Sequence, residues 1–123
     1  MSINTVSLSG NLTRDAELRA VPSGSKVLEF TLAVNGRVCN SVTGEWEDKP
    51  NFFECVLIDK TGNRSNALQP KLTKGVKAAV AGELRYEEWE KDGQTRSKVK
   101  VRVFEIEILQ YQQNANRSED IPF

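Results

Sequence analysis

The clearest pattern of apolar and polar positions lies in two alternating segments near the end of the chain. They cover residues 76–89 and 97–109, and residues 90–94 between them contain Asp92-Gly93. Asp-Gly between two alternating runs favours a β-hairpin turn. The pattern therefore predicts one long antiparallel hairpin, around which we expect the rest of the fold to be organised.

Side chains alternate between the two faces of a strand, so the parity of each position predicts its surroundings. In the first arm Val80, Leu84 and Tyr86 share the parity of Val76, and we expect them to face the core. The opposite parity holds Lys77, Glu83, Arg85 and Trp89. Trp89 is therefore expected among charged residues rather than in the core.

The second arm changes its apolar face partway along. Lys98, Lys100 and Arg102 alternate with Val99, Val101 and Val103. Beyond Val103 the parity is reversed, and the apolar set becomes Phe104, Ile106 and Ile108. A strand exchanges its buried face through a β-bulge or by passing between two packing environments. Long strands that bend in this way are typical of small barrels.

Three further strands and one helix precede the hairpin. Alternating apolar residues predict strands over residues 3–14 and 26–35, and an apolar run predicts a third over 52–58. Residues 60–74 predict a short helix that Pro70 kinks or shortens and Gly75 ends. We interpret residues 13–19 as a charged connection and 36–50 as an exposed loop or loose hairpin. Five strands with a helix between the third and fourth indicate an all-β OB-fold barrel.

Composition narrows the class of protein. The length of 123 residues fits one domain, which we place over 1–109. The absence of periodicity after it predicts a flexible tail over 110–123. The 17 basic and 17 acidic residues cancel, so any anionic partner must be bound by a local patch. The sequence has no histidine and no apolar run long enough to span a membrane, and its two cysteines favour a reduced cytosolic protein. We expect no cofactor, no metal and no catalysis.

Several segments resemble the bacterial single-stranded DNA-binding proteins, and they occur in that family's order along nearly the whole chain. They are residues 10–19 (GNLTRDAELR), 22–24 (PSG), 30–35 (FTLAVN), 52–55 (FFEC), 72–75 (LTKG), 82–85 (GELR) and 120–123 (DIPF). The resemblance implies a homotetramer of OB-folds that wraps single strands in the cytoplasm, in association with the nucleoid. It also implies that the tip, residues 120–123, recruits replication and repair proteins.

The family stacks bases on aromatic side chains, and Phe52 and Trp89 fall on two such positions. Ile58 stands where a phenylalanine is usual, Val38 where some members have tryptophan, and Glu54 and Glu87 where others have a basic residue. Trp46 is a third stacking candidate. For each aromatic the alternative is a structural role, as a barrel cap, a loop contact or a subunit contact.

Basic residues supply the candidate phosphate contacts. The set is Lys60, Lys74, Arg85, Arg96, Lys98 and Lys100. The alternative is an ordinary solvated strand face. Carboxylates on the hairpin also raise the possibility of a metal-dependent nuclease, but neighbouring ones lie on opposite faces and no histidine completes a ligand set.

The tip consists of Asp120, Ile121, Pro122 and Phe123. Its acids, a terminal carboxylate and a phenylalanine form a compact ligand for a basic pocket with an apolar floor. We therefore expect a protein that coats and protects single-stranded DNA without sequence preference during replication, recombination and repair. The alternative is a replication-accessory OB-fold protein with weak or no DNA binding, whose aromatics serve subunit contacts.

Overall fold

The computed structural model describes residues 2–111 as a β-rich unit with one short helical segment. The strands are β1 (Val6–Leu12), β2 (Glu17–Ala20), β3 (Lys26–Val34), β4 (Arg37–Cys39), β5 (Trp46–Asp48), β6 (Asn51–Asp59), β7 (Lys77–Lys91) and β8 (Gln94–Gln110). The helix α1 (Asn63–Leu68) continues as a 3₁₀ turn over Gln69–Lys71.

The main sheet curls until its first and third strands meet. Its order is β1-β7-β8-β6-β3-β2, and β1 pairs with β3 as well as with β7. Two of the joints are narrow, because β1 meets β3 through two residue pairs and β6 meets β8 in parallel through two. The five predicted strands correspond to β1, β3, β6, β7 and β8, with α1 between the third and fourth. This is the partly open five-stranded barrel of the OB-fold, as predicted.

The core is built from the inward positions of these alternating strands. Leu28, Phe30 and Leu32 of β3 are fully buried and pack with inward residues of the neighbouring strands. Cys55 on β6 is also buried, and burial raises the pKa of its thiol to about 12, so it stays protonated at neutral pH. Leu72, just after the 3₁₀ turn, is fully buried in the same core.

The β7–β8 hairpin is longer than predicted because its turn is shorter. Lys91 pairs with Gln94, which leaves only Asp92 and Gly93 in the turn. Both have positive φ, 54° and 76°, as a type I′ turn requires. Because the barrel ends before the hairpin does, Leu84 and Tyr86 are exposed rather than buried as expected.

A bulge in β8 explains the predicted change of face. Ala81 pairs with Glu105 but Gly82 pairs with Val103, so Phe104 is the extra residue. Val103 before the bulge is buried, and Ile106 and Ile108 after it pack against the core. The assignment of Phe104 to the inward set was wrong, because the bulged residue stays exposed. The guanidinium carbon of Arg102 lies 5.4 Å from the centroid of its ring.

The helix is shorter than the predicted 60–74. Pro70 lies in the 3₁₀ turn that follows α1, in agreement with the expected shortening. Gly75 does not end the helix; it lies in the turn before β7, with φ 91°. The Asp59 carboxylate accepts a hydrogen bond from the backbone N–H of Ser65 at 2.9 Å, which together with weaker contacts lowers the pKa of Asp59.

Two connecting segments also have strand structure. The predicted charged connection contains β2, which pairs with β3. The segment 36–50 forms the β4–β5 hairpin, one of the two forms expected for it. Val56, placed on an outward face by its parity, is nevertheless buried between β3 and β8.

We expect Gly82→Ala to destabilise the fold, because a Cβ at this buried glycine would overlap the carbonyl oxygen of Arg102 on β8. Overpacking of this kind costs roughly 3 kcal/mol, measured as the free energy of unfolding in urea. The matched control is Ala81→Ser, which also adds one heavy atom. Ala81 precedes Gly82, and its side chain lies on the outward face of β7. Equal stability of the two variants would contradict the tight approach of β7 and β8.

Candidate nucleic-acid interface

One outward face of the barrel continues from β6 across β8 to β7, and we call it the binding face. Directly paired residues lie on the same side of a sheet, so Trp89 shares this face with Arg96, and Arg85 with Lys100. Val56 of β6 pairs with Arg102 of β8 on the outer side. The binding face comprises Phe52, Glu54, Val56 and Ile58 of β6, Glu83, Arg85, Glu87 and Trp89 of β7, and Arg96, Lys98, Lys100 and Arg102 of β8.

The two main aromatic candidates lie on this face. Phe52 is 63% exposed and Trp89 is 41% exposed, so neither is needed to fill the core. Both have side-chain surface free for a flat partner. Tyr86, also 63% exposed, lies on the opposite face of the same hairpin, where it pairs with Val99.

Seven of the ten predicted DNA-contacting residues lie together on the binding face. They are Phe52, Ile58, Arg85, Trp89, Arg96, Lys98 and Lys100. The other three lie outside its strands. Lys60 follows the end of β6, Lys74 is in the turn before β7, and Trp46 is in the two-stranded sheet of the β4–β5 hairpin.

The cations of the binding face are interleaved with carboxylates. Lys98 Nζ lies 2.6 Å from Glu54 Oε2, across the junction of β8 and β6. Lys100 Nζ lies 3.2 Å from Glu87 Oε2, and Arg102 Nη1 lies 3.6 Å from Glu83 Oε1, both across the hairpin. The predicted basic stripe is therefore a row of ion pairs, which lowers its net charge.

Two features of the face were missed by sequence reasoning. Arg14, just after β1, lines a cleft together with Glu54, Lys98 and Lys100. The ion pairs of Lys100 and Arg102 had a signal in the sequence, because a two-residue turn at Asp92-Gly93 fixes every cross-strand neighbour in the hairpin. The Glu54–Lys98 pair had no such signal, since it joins strands far apart in the chain.

Other predicted features concern the rest of the molecule. The tip residues Asp120, Ile121, Pro122 and Phe123 lie outside the described residues. Within residues 2–111 there is no cluster of three metal-ligating side chains. In the same range neither helical segment is long and apolar enough to cross a membrane.

Sequence comparison places the chain among proteins of one family. The model of the Single-strand binding protein family matches residues 3–109. The single-stranded DNA-binding protein of Borreliella burgdorferi is 38% identical over 120 residues, which cover 96% of this chain and 77% of that protein. The Treponema pallidum protein of the same name is also 38% identical, over 87% of this chain and 58% of its own length.

Solved structures of the same class have the same fold. A deletion mutant of the single-stranded DNA binding protein from Thermus aquaticus, 30% identical, superposes with a TM-score of 0.74 over 88% of this chain and 51% of that one. A Plasmodium falciparum SSB in complex with ssDNA gives 0.78 over 89% of this chain and 97% of that one, and at 23% identity it supports the fold alone. The chain is thus an OB-fold protein of the single-stranded DNA-binding class. It belongs to the single-strand binding protein family.

Proposed function

We propose that this protein binds single-stranded DNA without sequence preference, using the binding face. The observation that carries the proposal is the presence of two exposed aromatic side chains and five cations on one face of an OB-fold. OB-folds bind oligonucleotides on the face of their second and third strands and with the loop between the fourth and fifth. In this chain those elements are β3, β6 and the β7–β8 hairpin, which carry Phe52 and Trp89. The named function of the relatives agrees with this assignment.

Stacking is the main source of affinity in this proposal. A base stacked on an aromatic ring contributes about 1–3 kcal/mol, and every base has a π-face, so the contact tolerates any sequence. Phe52 and Trp89 are the principal platforms, and Ile58 and Trp46 extend the surface at either side. Arg85 and Arg96 contact phosphates, and Lys60 and Lys74 contribute from flanking turns. Lys98 and Lys100 lie on the same face but are paired with Glu54 and Glu87. No step of this function requires catalysis or a cofactor.

The proposed cellular role is protection of single strands during replication, recombination and repair, in the cytoplasm at the nucleoid. In this proposal residues 1–109 form the DNA-binding domain. Gln110 ends β8, and the residues after it form a tail whose tip, Asp120–Phe123, binds replication and repair proteins. The support for the tip is its family resemblance and its chemistry, since acidic groups steer toward a basic pocket and a phenylalanine anchors in it.

We expect Trp89→Ala and Phe52→Ala each to weaken binding of oligo-dT by about 1–3 kcal/mol, because each removes one stacking platform. The measurement is a fluorescence-anisotropy titration with labelled oligo-dT, with circular dichroism as the check of folding. Tyr86→Ala is the control, because it removes an aromatic residue as exposed as Phe52 from the face of the hairpin opposite Trp89. Affinity unchanged by both Trp89→Ala and Phe52→Ala would refute the stacking assignment. Absence of oligo-dT binding by the unmodified protein would favour the accessory OB-fold protein.

We further propose a homotetramer, and sedimentation equilibrium at micromolar concentration should give four times the chain mass of 13.8 kDa. Apolar strand surface gives the assembly little support, since Val56 is buried and Ile106 and Ile108 pack against the core of their own chain. The support from the fold is the outer side of β1, β7 and β8, where the small residues Ser7, Ser9, Ala79 and Ala81 leave room for another sheet beside Glu105 and Glu107. A monomer mass at this concentration would contradict the proposal.

Deletion of residues 120–123 should leave the melting temperature nearly unchanged, raise the affinity for oligo-dT slightly at low salt, and abolish capture of replication and repair proteins. The reason is that the tip supplies the anchor and the acidic steering for partners but no part of the barrel core described above. The measurement is affinity capture from bacterial lysate, with bound proteins identified by mass spectrometry. Phe123→Ala, with the acids intact, separates the anchor from the charge. Capture of the same proteins by the truncated chain would refute this role.

A further inference from the structure

We propose that Glu54 and Glu87 set the DNA affinity of this protein by holding Lys98 and Lys100 in ion pairs on the binding face. This inference rests on the proposed function and adds two affinity-determining residues to it. The carboxylates occupy the ammonium groups that phosphates would otherwise contact. They limit the electrostatic part of binding and leave the stacking part intact.

The geometry favours the pairs over solvent-separated charges. Lys98 and Glu54 approach to 2.6 Å, and each side chain is about two-fifths exposed. Lys100 is more enclosed, with only 16% of its side chain exposed, and lies 3.2 Å from Glu87. Water screens partly enclosed pairs less than fully exposed ones, so these contacts are stronger than ordinary surface ion pairs.

Position makes the two carboxylates relevant to DNA. Glu54 lies two residues from Phe52 on the outward parity of β6, and Glu87 lies two residues from Trp89 on that of β7. A strand stacked on both aromatics passes over these acids. Its phosphates must either displace them from the lysines or remain close to them without a compensating cation. Both alternatives lower the affinity, because like charges repel at short range.

The two arginines of the hairpin differ from the lysines. Within the described part of the chain, no carboxylate lies at ion-pair distance from Arg85 or Arg96, and Arg96 pairs directly with Trp89 across the hairpin. These arginines are available to phosphates from the outset. The two arginines without a carboxylate partner therefore flank the row of Glu87 and Lys98, with Arg96 beside Trp89 and Arg85 beside Lys100.

Glu54→Gln and Glu87→Gln should each raise the affinity for oligo-dT at low salt by about two- to fivefold, the range expected for a screened charge pair. Each should also steepen the plot of log affinity against log NaCl concentration by about 0.7, because one more lysine neutralises a phosphate. The measurement is an anisotropy titration with labelled oligo-dT across a series of NaCl concentrations. Melting temperatures check that each variant folds.

The matched control is Glu90→Gln, which removes the same charge from the opposite face of the same hairpin, where Glu90 pairs with Thr95. It should leave the salt slope unchanged. A second variant, Glu54→Gln with Lys98→Gln, should return the slope to that of the unmodified protein, since the gain acts through Lys98. A salt slope for Glu54→Gln and Glu87→Gln equal to that of Glu90→Gln would overturn the inference. So would a steeper slope that persists in the variant with both Glu54→Gln and Lys98→Gln.

The outcome also distinguishes this inference from the proposed function. If the unmodified protein binds oligo-dT and the glutamate variants bind no better, only the inference fails. If neither the unmodified protein nor any variant binds at any salt concentration, the proposed function fails and the inference fails with it. Binding by the variants alone would support both, with the carboxylates blocking the face completely.

Discussion

The structure depends on the register of the β7–β8 hairpin. The two-residue turn at Asp92-Gly93 fixes which residues lie opposite each other, and the bulge at Phe104 then shifts that register by one. Without the bulge, the buried side chains on one side of it would have to point outward. With it, Val103 and Ile106 both reach the core while Arg102 and Lys100 stay outside. The bulge at Phe104 thus keeps the apolar residues of β8 in the core and its basic residues on the binding face.

Much of this was readable from the sequence because local rules determine it. Asp-Gly between alternating runs predicted the turn. The change of parity after Val103 predicted a bulge or a change of packing environment, and the structure has the bulge. The prediction failed where burial was inferred from alternation alone. Parity says which side a side chain faces, but not whether anything covers that side. Leu84 and Tyr86 have core parity, yet they are exposed because the hairpin extends beyond the barrel. Val56 has outward parity, yet neighbouring strands cover it.

The candidate site shows the same limit. The grouping of Trp89 with Arg85 followed from parity within one arm, and the structure confirms that they share a face. The neutralisation of the lysines was not foreseen. Lys100 and Glu87 are diagonal neighbours in the register that the turn fixes. The Lys98 pair with Glu54 requires the parallel contact of β6 and β8, strands separated by the helix and all of β7. Short strands such as β2 were also missed, because only Leu18 of its four residues faces the core.

A chain with no net charge that binds a polyanion must obtain much of its affinity from interactions that do not depend on net charge. Stacking on Phe52 and Trp89 is such an interaction, because the contact between a ring and a base depends little on ionic strength. Phosphate contacts are the opposite case, since counterion release makes them fall with salt. By pairing Lys98 and Lys100 with acids, the binding face shifts the balance toward stacking. In the proposed function the protein would therefore hold single strands less tightly at low salt than a fully basic face would. It would also lose less of that affinity as salt rises, which makes the aromatic residues, rather than the lysines, the main determinants of binding.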